Sequence, residues 1–157
     1  MALKVGDNAP SFTLHNTEKQ EVSNAAYDGK NLLLLFFPLA FTGVCTTELC
    51  TVRDDIGNYE NANAAVVGIS VDSLFVLEKF KAEQNIGFPL LSDFNKTTAS
   101  AFGVLYDEFP AFGMKGVSKR AAFIVDKNGV IQYSEVCPSP GDLPNFEAIT
   151  NKLKELA

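Results

Sequence analysis

The stretch Leu32-Leu33-Leu34-Leu35-Phe36-Phe37-Pro38-Leu39-Ala40-Phe41-Thr42-Gly43-Val44-Cys45 decides how this chain folds. Leu32 to Phe37 is unbroken apolar, which suits a strand buried on both faces. Pro38 ends that run, and a loop with Gly43 follows. From Cys45 onward the apolar residues Leu49, Val52, Ile56 and Tyr59 recur at helical spacing, which predicts one helix from Cys45 to about Tyr59. A cysteine on the first turn of a helix meets unpaired backbone N–H groups and the positive end of the macrodipole. Both favour a thiolate over a thiol, and so favour sulfur chemistry. A free cysteine is usually buried and inert. One placed just after a glycine-containing loop is expected to be accessible.

The same reading extends outward. Phe12, Leu14 and Val22 flank a polar Asn16-Thr17-Glu18 turn and predict an N-terminal hairpin. Ala65–Val71 reads as a second buried strand, and Ser73 as the cap of a helix running to about Gln84, with Leu77 and Phe80 inward. Phe88-Pro89-Leu90-Leu91 is a short strand, and Thr97–Phe102 a short helix closed by Gly103. Ala121–Val125 and Val130–Val136 flank Asn128-Gly129, a strong hairpin signal. Pro144 to Leu156 reads as a C-terminal helix. Alternating elements followed by a terminal hairpin give an α/β fold, a mixed central sheet with helices on its faces.

Bulk properties exclude several functions. At 157 residues, one domain spanning 1–157 is expected. A hydrophobic content of 46% and a charged content of 20% fit an ordinary globule. The net charge of -6, with no basic block, argues against a nucleic-acid partner. The apolar run is too short for a bilayer and the N-terminus lacks a signal-peptide core, so no membrane partner and a cytoplasmic location are expected. Three cysteines, Cys45, Cys50 and Cys137, do not make a secreted disulfide framework. The lone histidine, His15, falls in an expected turn far from them in sequence. No metal or other cofactor is expected.

Pro38-x-x-x-Thr42-x-x-Cys45, following a strand and opening a helix, resembles the peroxiredoxin family, and the resemblance covers nearly the whole chain. The wording Phe37-Pro38-Leu39-Ala40-Phe41-Thr42-Gly43 is similar to that of the AhpE-like group, and Arg120 opens the late strand as in the family. The resemblance implies a thioredoxin-like fold and reduction of hydrogen peroxide and organic hydroperoxides. It also implies that Arg120 stands at the pocket.

The chemistry needs a sulfur held as an anion, aligned with the O–O bond, and donors for the leaving oxygen. Cys45 supplies the nucleophile. The Thr42 hydroxyl can donate to peroxide oxygen or accept from it. The N–H groups of Val44 and Cys45 are candidate donors, and the Pro38 ring can wall out water. Arg120 and Arg53 are the only two arginines among thirteen Lys and Arg residues. A guanidinium supports a thiolate and points fixed donors at oxygen. Glu48 has two readings: an acid favoured at a helix start, or the group that orients an arginine. Arg53, about two helical turns after Cys45, is either a surface arginine or one that pairs with Glu48 and braces the surroundings of Arg120.

After attack Cys45 becomes a sulfenic acid, and something must condense with it. Cys50 is five residues on. In an intact helix such Cα atoms stand roughly 8–9 Å apart, beyond the ~7 Å a disulfide allows. A Cys45–Cys50 bond therefore requires the first turns to unwind. The Cys-x-x-x-x-Cys spacing is similar to that of the Q-type, or bacterioferritin-comigratory, peroxiredoxins, which resolve in this way. That spacing departs from the one-cysteine AhpE-like pattern. In order, the options are Cys50, no resolving cysteine with an external thiol instead, and Cys137. The expected reductant is thioredoxin or a similar small thiol. The AhpE-like wording, with Phe41, Phe109 and Phe112 in loops, tilts toward a homodimer. Two other functions stand beside the peroxidase: a disulfide oxidoreductase, disfavoured because no Cys-x-x-Cys is present, and a non-peroxidatic redox-sensing or interaction domain on the same fold.

Overall fold

The structure, a computed structural model, describes residues 1–157. One mixed sheet organises the chain. Its strands are β1 (Thr13–Asn16), β2 (Glu21–Ser23), β3 (Asn31–Phe36), β4 (Ala64–Ser70), β5 (Leu90–Ser92), β6 (Ala121–Val125) and β7 (Ile131–Val136). They lie in the order β2-β1-β5-β4-β3-β6-β7. β3, β4 and β5 run parallel, while β1, β6 and β7 are attached antiparallel. The helices are α1 (Gly43–Asp54), α2 (Ile56–Asn61), α3 (Leu74–Glu83), α4 (Thr97–Ala101) and α5 (Phe146–Leu156). A 3-10 turn spans Asn24–Tyr27. No helix is long and apolar enough to cross a membrane.

Every residue of β3 is buried, as its unbroken apolar run requires. The pleat sends alternate side chains to opposite faces. Leu33, Leu35 and Phe37 join the larger core, with Leu49 and Val52 of α1, Leu77 and Phe80 of α3, and Ile149 and Leu153 of α5. Leu32, Leu34 and Phe36 enter the smaller core with Phe102 and Phe123. The sheet is thus sandwiched, and the α1 face carries the thicker layer.

The N-terminal hairpin, the Ser73 cap and the Asn128-Gly129 turn are all present. Ser73 Oγ accepts from the Val76 N–H at 3.2 Å, and Gly129 has φ +80°. Three expectations need correction. The helix expected from Cys45 to Tyr59 is two helices, broken at Asp55 (φ −112°, ψ 15°). Asp55 is both the C-cap of α1 and the N-cap of α2, and the second position suits an acid, which complements the dipole at a helix start. The apolar period continues across the break because both helices cover the same core. The strand around Phe88 shortens to β5, since Pro89 cannot donate to a ladder. His15 sits in β1 rather than in the turn, paired with Glu21 on one side and Ser92 on the other.

Candidate active site

The loop from Phe37 to Thr42 leaves the carboxyl end of β3, where parallel strands open a crevice. Two features fix its path. Phe41 takes a left-handed backbone, φ +65°, unusual for a bulky residue. Its ring packs on Phe80 with centroids 5.2 Å apart. The Ala40 N–H donates to Asp72 Oδ2 at 2.7 Å, and the Ser70 hydroxyl donates to the same oxygen at 2.7 Å. Asp72 follows β4, so the neighbouring strand holds the loop. Sequence reading missed Asp72; the only signal for it was an acid just beyond a strand end.

α1 begins with Thr42 as its N-cap. Thr46 N–H bonds Thr42 O at 3.0 Å, while the N–H groups of Gly43, Val44 and Cys45 precede the first helical bond and have no backbone partner. The Thr42 hydroxyl donates to Leu39 O at 2.7 Å. Its proton is therefore committed, and its lone pairs are left to accept.

Cys45 is completely buried, which corrects the expected accessibility. The reason is its place on the helix: Cys45, Leu49 and Val52 form one stripe facing the sheet. The sulfur nevertheless has the guanidinium the chemistry needs. Arg120 Nη1 donates to Cys45 Sγ at 3.3 Å and to Glu48 Oε1 at 2.8 Å, and Nη2 donates to Pro140 O at 2.8 Å. Arg120 and Glu48 are both buried, and Arg120 Nε and Glu48 Oε2 lack partners. Pro140 was not singled out from the sequence, because a main-chain acceptor leaves no residue signature.

The sheet register places these groups in one layer. Phe36 pairs with Ala121, and Ala121 with Val136. Arg120 and Cys137 therefore stand opposite each other one step further on, joined by a Cys137 N–H to Arg120 O bond of 2.9 Å. By alternation both face the α1 side, as Ala122 does. Pro38, Thr42, Val44 and Arg120 line a single cavity of about 280 Å³, together with Phe109, Phe112 and Met114. The sulfur lies behind this wall, at the guanidinium.

Arg53 and Cys50 lie elsewhere. Arg53 Nε pairs with Asp54 at 2.9 Å, and Nη1 donates to Gln84 O. The expected pairing of Arg53 with Glu48 is therefore absent. Arg53 lies on the flank of α1 facing the end of α3, away from the stripe that carries Cys45 and Glu48. Cys50 is half-buried, and its thiol donates to Gln84 Oε1 at 3.5 Å. All three cysteines are free, with Cys45 and Cys50 in one unbroken helix.

Burial sets the electrostatics. Desolvation pushes the Glu48 carboxyl up to about 7; Arg120 pulls it down less strongly, and Glu135 adds to the rise. For Arg120, burial opposes the charge, and Glu48 and Cys45 more than offset that, so its pKa lies above the ordinary arginine value. The Cys137 thiol is pushed up to about 11, chiefly by burial and then by Glu135 and Glu48. It stays protonated beside the site.

Comparison with known proteins agrees with this geometry. The AhpC/TSA family model matches residues 5–134. Alkyl hydroperoxide reductase E of Mycobacterium tuberculosis is 37% identical over 98% of both chains. A putative peroxiredoxin bcp of Coxiella burnetii is 38% identical over 83% of this chain and 87% of its own. Among solved structures, a peroxiredoxin-like protein from Aquifex aeolicus superposes with TM-score 0.90 at 30% identity, covering 100% of this chain and 90% of that one. Peroxidoxin BcpB from Mycobacterium tuberculosis gives 0.87 at 26% identity over 99% of each. The sheet and helices described above are thus a thioredoxin-like fold, and the chain belongs to the AhpC/TSA family, the peroxiredoxins, which are thiol-dependent peroxidases.

Proposed function

We propose that the chain, acting as one domain over residues 1–157, reduces hydrogen peroxide and organic hydroperoxides with Cys45 as the attacking sulfur. The observation that carries this is the 3.3 Å bond from Arg120 Nη1 to Cys45 Sγ behind a cavity walled by Pro38 and Thr42. The thiolate attacks one peroxide oxygen and the O–O bond breaks. The sulfur keeps that oxygen as a sulfenic acid, and the other oxygen leaves and takes up one proton. The Thr42 oxygen accepts from the peroxide O–H. The free N–H groups of Val44 and Cys45 and the remaining guanidinium N–H groups stabilise charge on the departing oxygen. Glu48 orients Arg120.

Resolution goes to Cys50, by local unwinding of α1 and loss of its bond to Gln84. Cys137 is the weaker nucleophile, because its thiol stays protonated. The intact helix favours a second route, in which an external thiol resolves the sulfenic acid. Thioredoxin or another small thiol reductant in the cytoplasm recycles the enzyme. The exposed Phe41, Phe75, Phe94 and Phe112 are candidate apolar contacts for a homodimer. The test is peroxide consumption with thioredoxin and its reductase, followed by mass mapping after one equivalent of peroxide. The expected results are turnover, abolished by Cys45→Ser, and a Cys45–Cys50 disulfide. Full activity in Cys45→Ser would refute the peroxidase assignment, and a Cys45–Cys137 bond would refute the resolution route.

A further inference from the structure

The most unusual feature of the site is a shared nitrogen. Arg120 Nη1 has two hydrogens, and it gives one to Cys45 Sγ and one to Glu48 Oε1. Cys45 and Glu48 are three residues apart on α1, and both are sealed from solvent. Two acids thus flank one cation in a dry layer. If both ionise, the cluster carries a buried net negative charge with Glu48 Oε2 unpartnered. If only one ionises, the cluster is neutral.

Resting on the peroxidase reading, we propose that Cys45 and Glu48 hold one proton between them, which sits on the carboxyl while the sulfur is anionic and leaves it when the sulfur is oxidised. Glu48 is then a positioning residue that acts through Arg120 and keeps the site neutral through the reaction. The balance is closed. Before attack the cluster is thiolate, guanidinium and carboxylic acid. Afterwards it is sulfenic acid, guanidinium and carboxylate. The proton given up equals the one the departing hydroxide or alkoxide gains as it becomes water or alcohol, so no proton is drawn from the medium.

The surroundings of Glu48 favour this exchange. From α1 it faces Cys45, from just before β6 Arg120, from β7 Glu135, and just beyond β7 Cys137. Glu135 is itself engaged, accepting from the Tyr133 hydroxyl and the Asn145 N–H, and it adds like charge. The Cys137 thiol stays protonated and neutral. Burial already brings the carboxyl to about 7. An anionic sulfur on the same Nη1 adds a second like charge and holds the proton on Glu48 more firmly. Oxidation removes that charge, and Arg120 then pairs with a carboxylate alone.

The experiment counts protons. The reduced full-length protein is mixed with one equivalent of hydrogen peroxide at about pH 7.5 in weak buffer with a pH indicator, while sulfur oxidation is followed by mass spectrometry. Closure of a disulfide by a neutral Cys50 thiol releases only water and does not disturb the count. Wild type is expected to take up almost no proton per Cys45 oxidised. Glu48→Gln keeps the acceptor for Nη1 but cannot hold the proton, and it is expected to take up close to one. Infrared difference spectra of wild type supply a second readout that needs no variant: a protonated-carboxyl stretch disappears as the sulfenic acid forms. Equal proton counts in the two proteins, or no carboxyl change in wild type, overturns the proposal. Failure of peroxide to oxidise Cys45 at all would overturn the underlying peroxidase reading instead.

Discussion

Glu48 makes folding stability depend on pH in the sense opposite to that of a salt-bridged surface carboxylate. Its carboxyl rises from an ordinary 4.5 to about 7 on folding, chiefly through desolvation that Arg120 only partly opposes. The folded chain therefore binds this proton more tightly than the unfolded chain does. The stability Glu48 contributes is complete below the unfolded value and is lost as pH climbs through the folded one. Displacement from 4.5 to about 7, at about 1.4 kcal/mol per pH unit, amounts at full extent to about 3.5 kcal/mol. Glu48→Gln keeps the oxygen that receives Arg120 Nη1 and deletes the titration. The assay is urea unfolding of wild type and variant at about pH 5 and about pH 8, with a reductant keeping every cysteine unoxidised. Between those conditions, which leave out the part of the effect below pH 5, wild type is expected to lose about 2.5 kcal/mol more than Glu48→Gln. The other carboxylates are common to both proteins and cancel in the difference. Parallel pH curves for the two proteins would refute the reasoning.

Arg120→Met removes the donor to Cys45 and the fixed dipole at the departing oxygen. The second-order rate of Cys45 oxidation, read by stopped-flow fluorescence or competition kinetics, is expected to fall by about 10²–10³-fold, and a rate within a few-fold of wild type would contradict the assigned role. Asp72→Ala frees the Ala40 N–H and the Ser70 hydroxyl, two bonds whose loss costs about 1–3 kcal/mol. Hydrogen exchange at the Ala40 amide should speed up well before global unfolding, and unchanged protection there would show that the loop is held by other contacts. Cys50→Ser should leave the rate of the first peroxide attack within about twofold of wild type, since Cys50 bonds Gln84 and touches neither Arg120 nor the cavity, and a near-isosteric change there has little effect on the site. It should also accumulate sulfenic and then sulfinic acid on Cys45; a disulfide forming as fast as in wild type would exclude Cys50 as the partner.

The fold was largely legible because its decisive signals are local. The six-residue apolar run Leu32–Phe37 needs cover on both sides wherever it lies, and Ser73 and Asn128-Gly129 punctuate the chain by their own chemistry. The break at Asp55 was hidden because apolar spacing reports which face is buried, not whether the backbone turns. In the site, the pairing of Cys45 with a helix start and the value of a guanidinium followed from elementary electrostatics. Arg120 itself came from family resemblance, since no pattern places a residue 75 positions away against a sulfur. The burial of Cys45 was misjudged from the loop before it; the stripe Cys45, Leu49, Val52 held the correct answer. Arg53 was drawn toward Glu48 by charge alone, while its neighbour Asp54 and the end of α3 are nearer.

Arg120 is steered on one side by the Pro140 carbonyl, which belongs to the chain path and not to any side chain. No single codon encodes that anchor. Substitutions between Cys137 and Phe146 can accumulate while the path is kept, and the guanidinium will stay aimed at the sulfur. A one-residue insertion or deletion in the same segment would re-route the main chain and release it. Tolerance to lettering and intolerance to length are therefore the signature to expect in this segment.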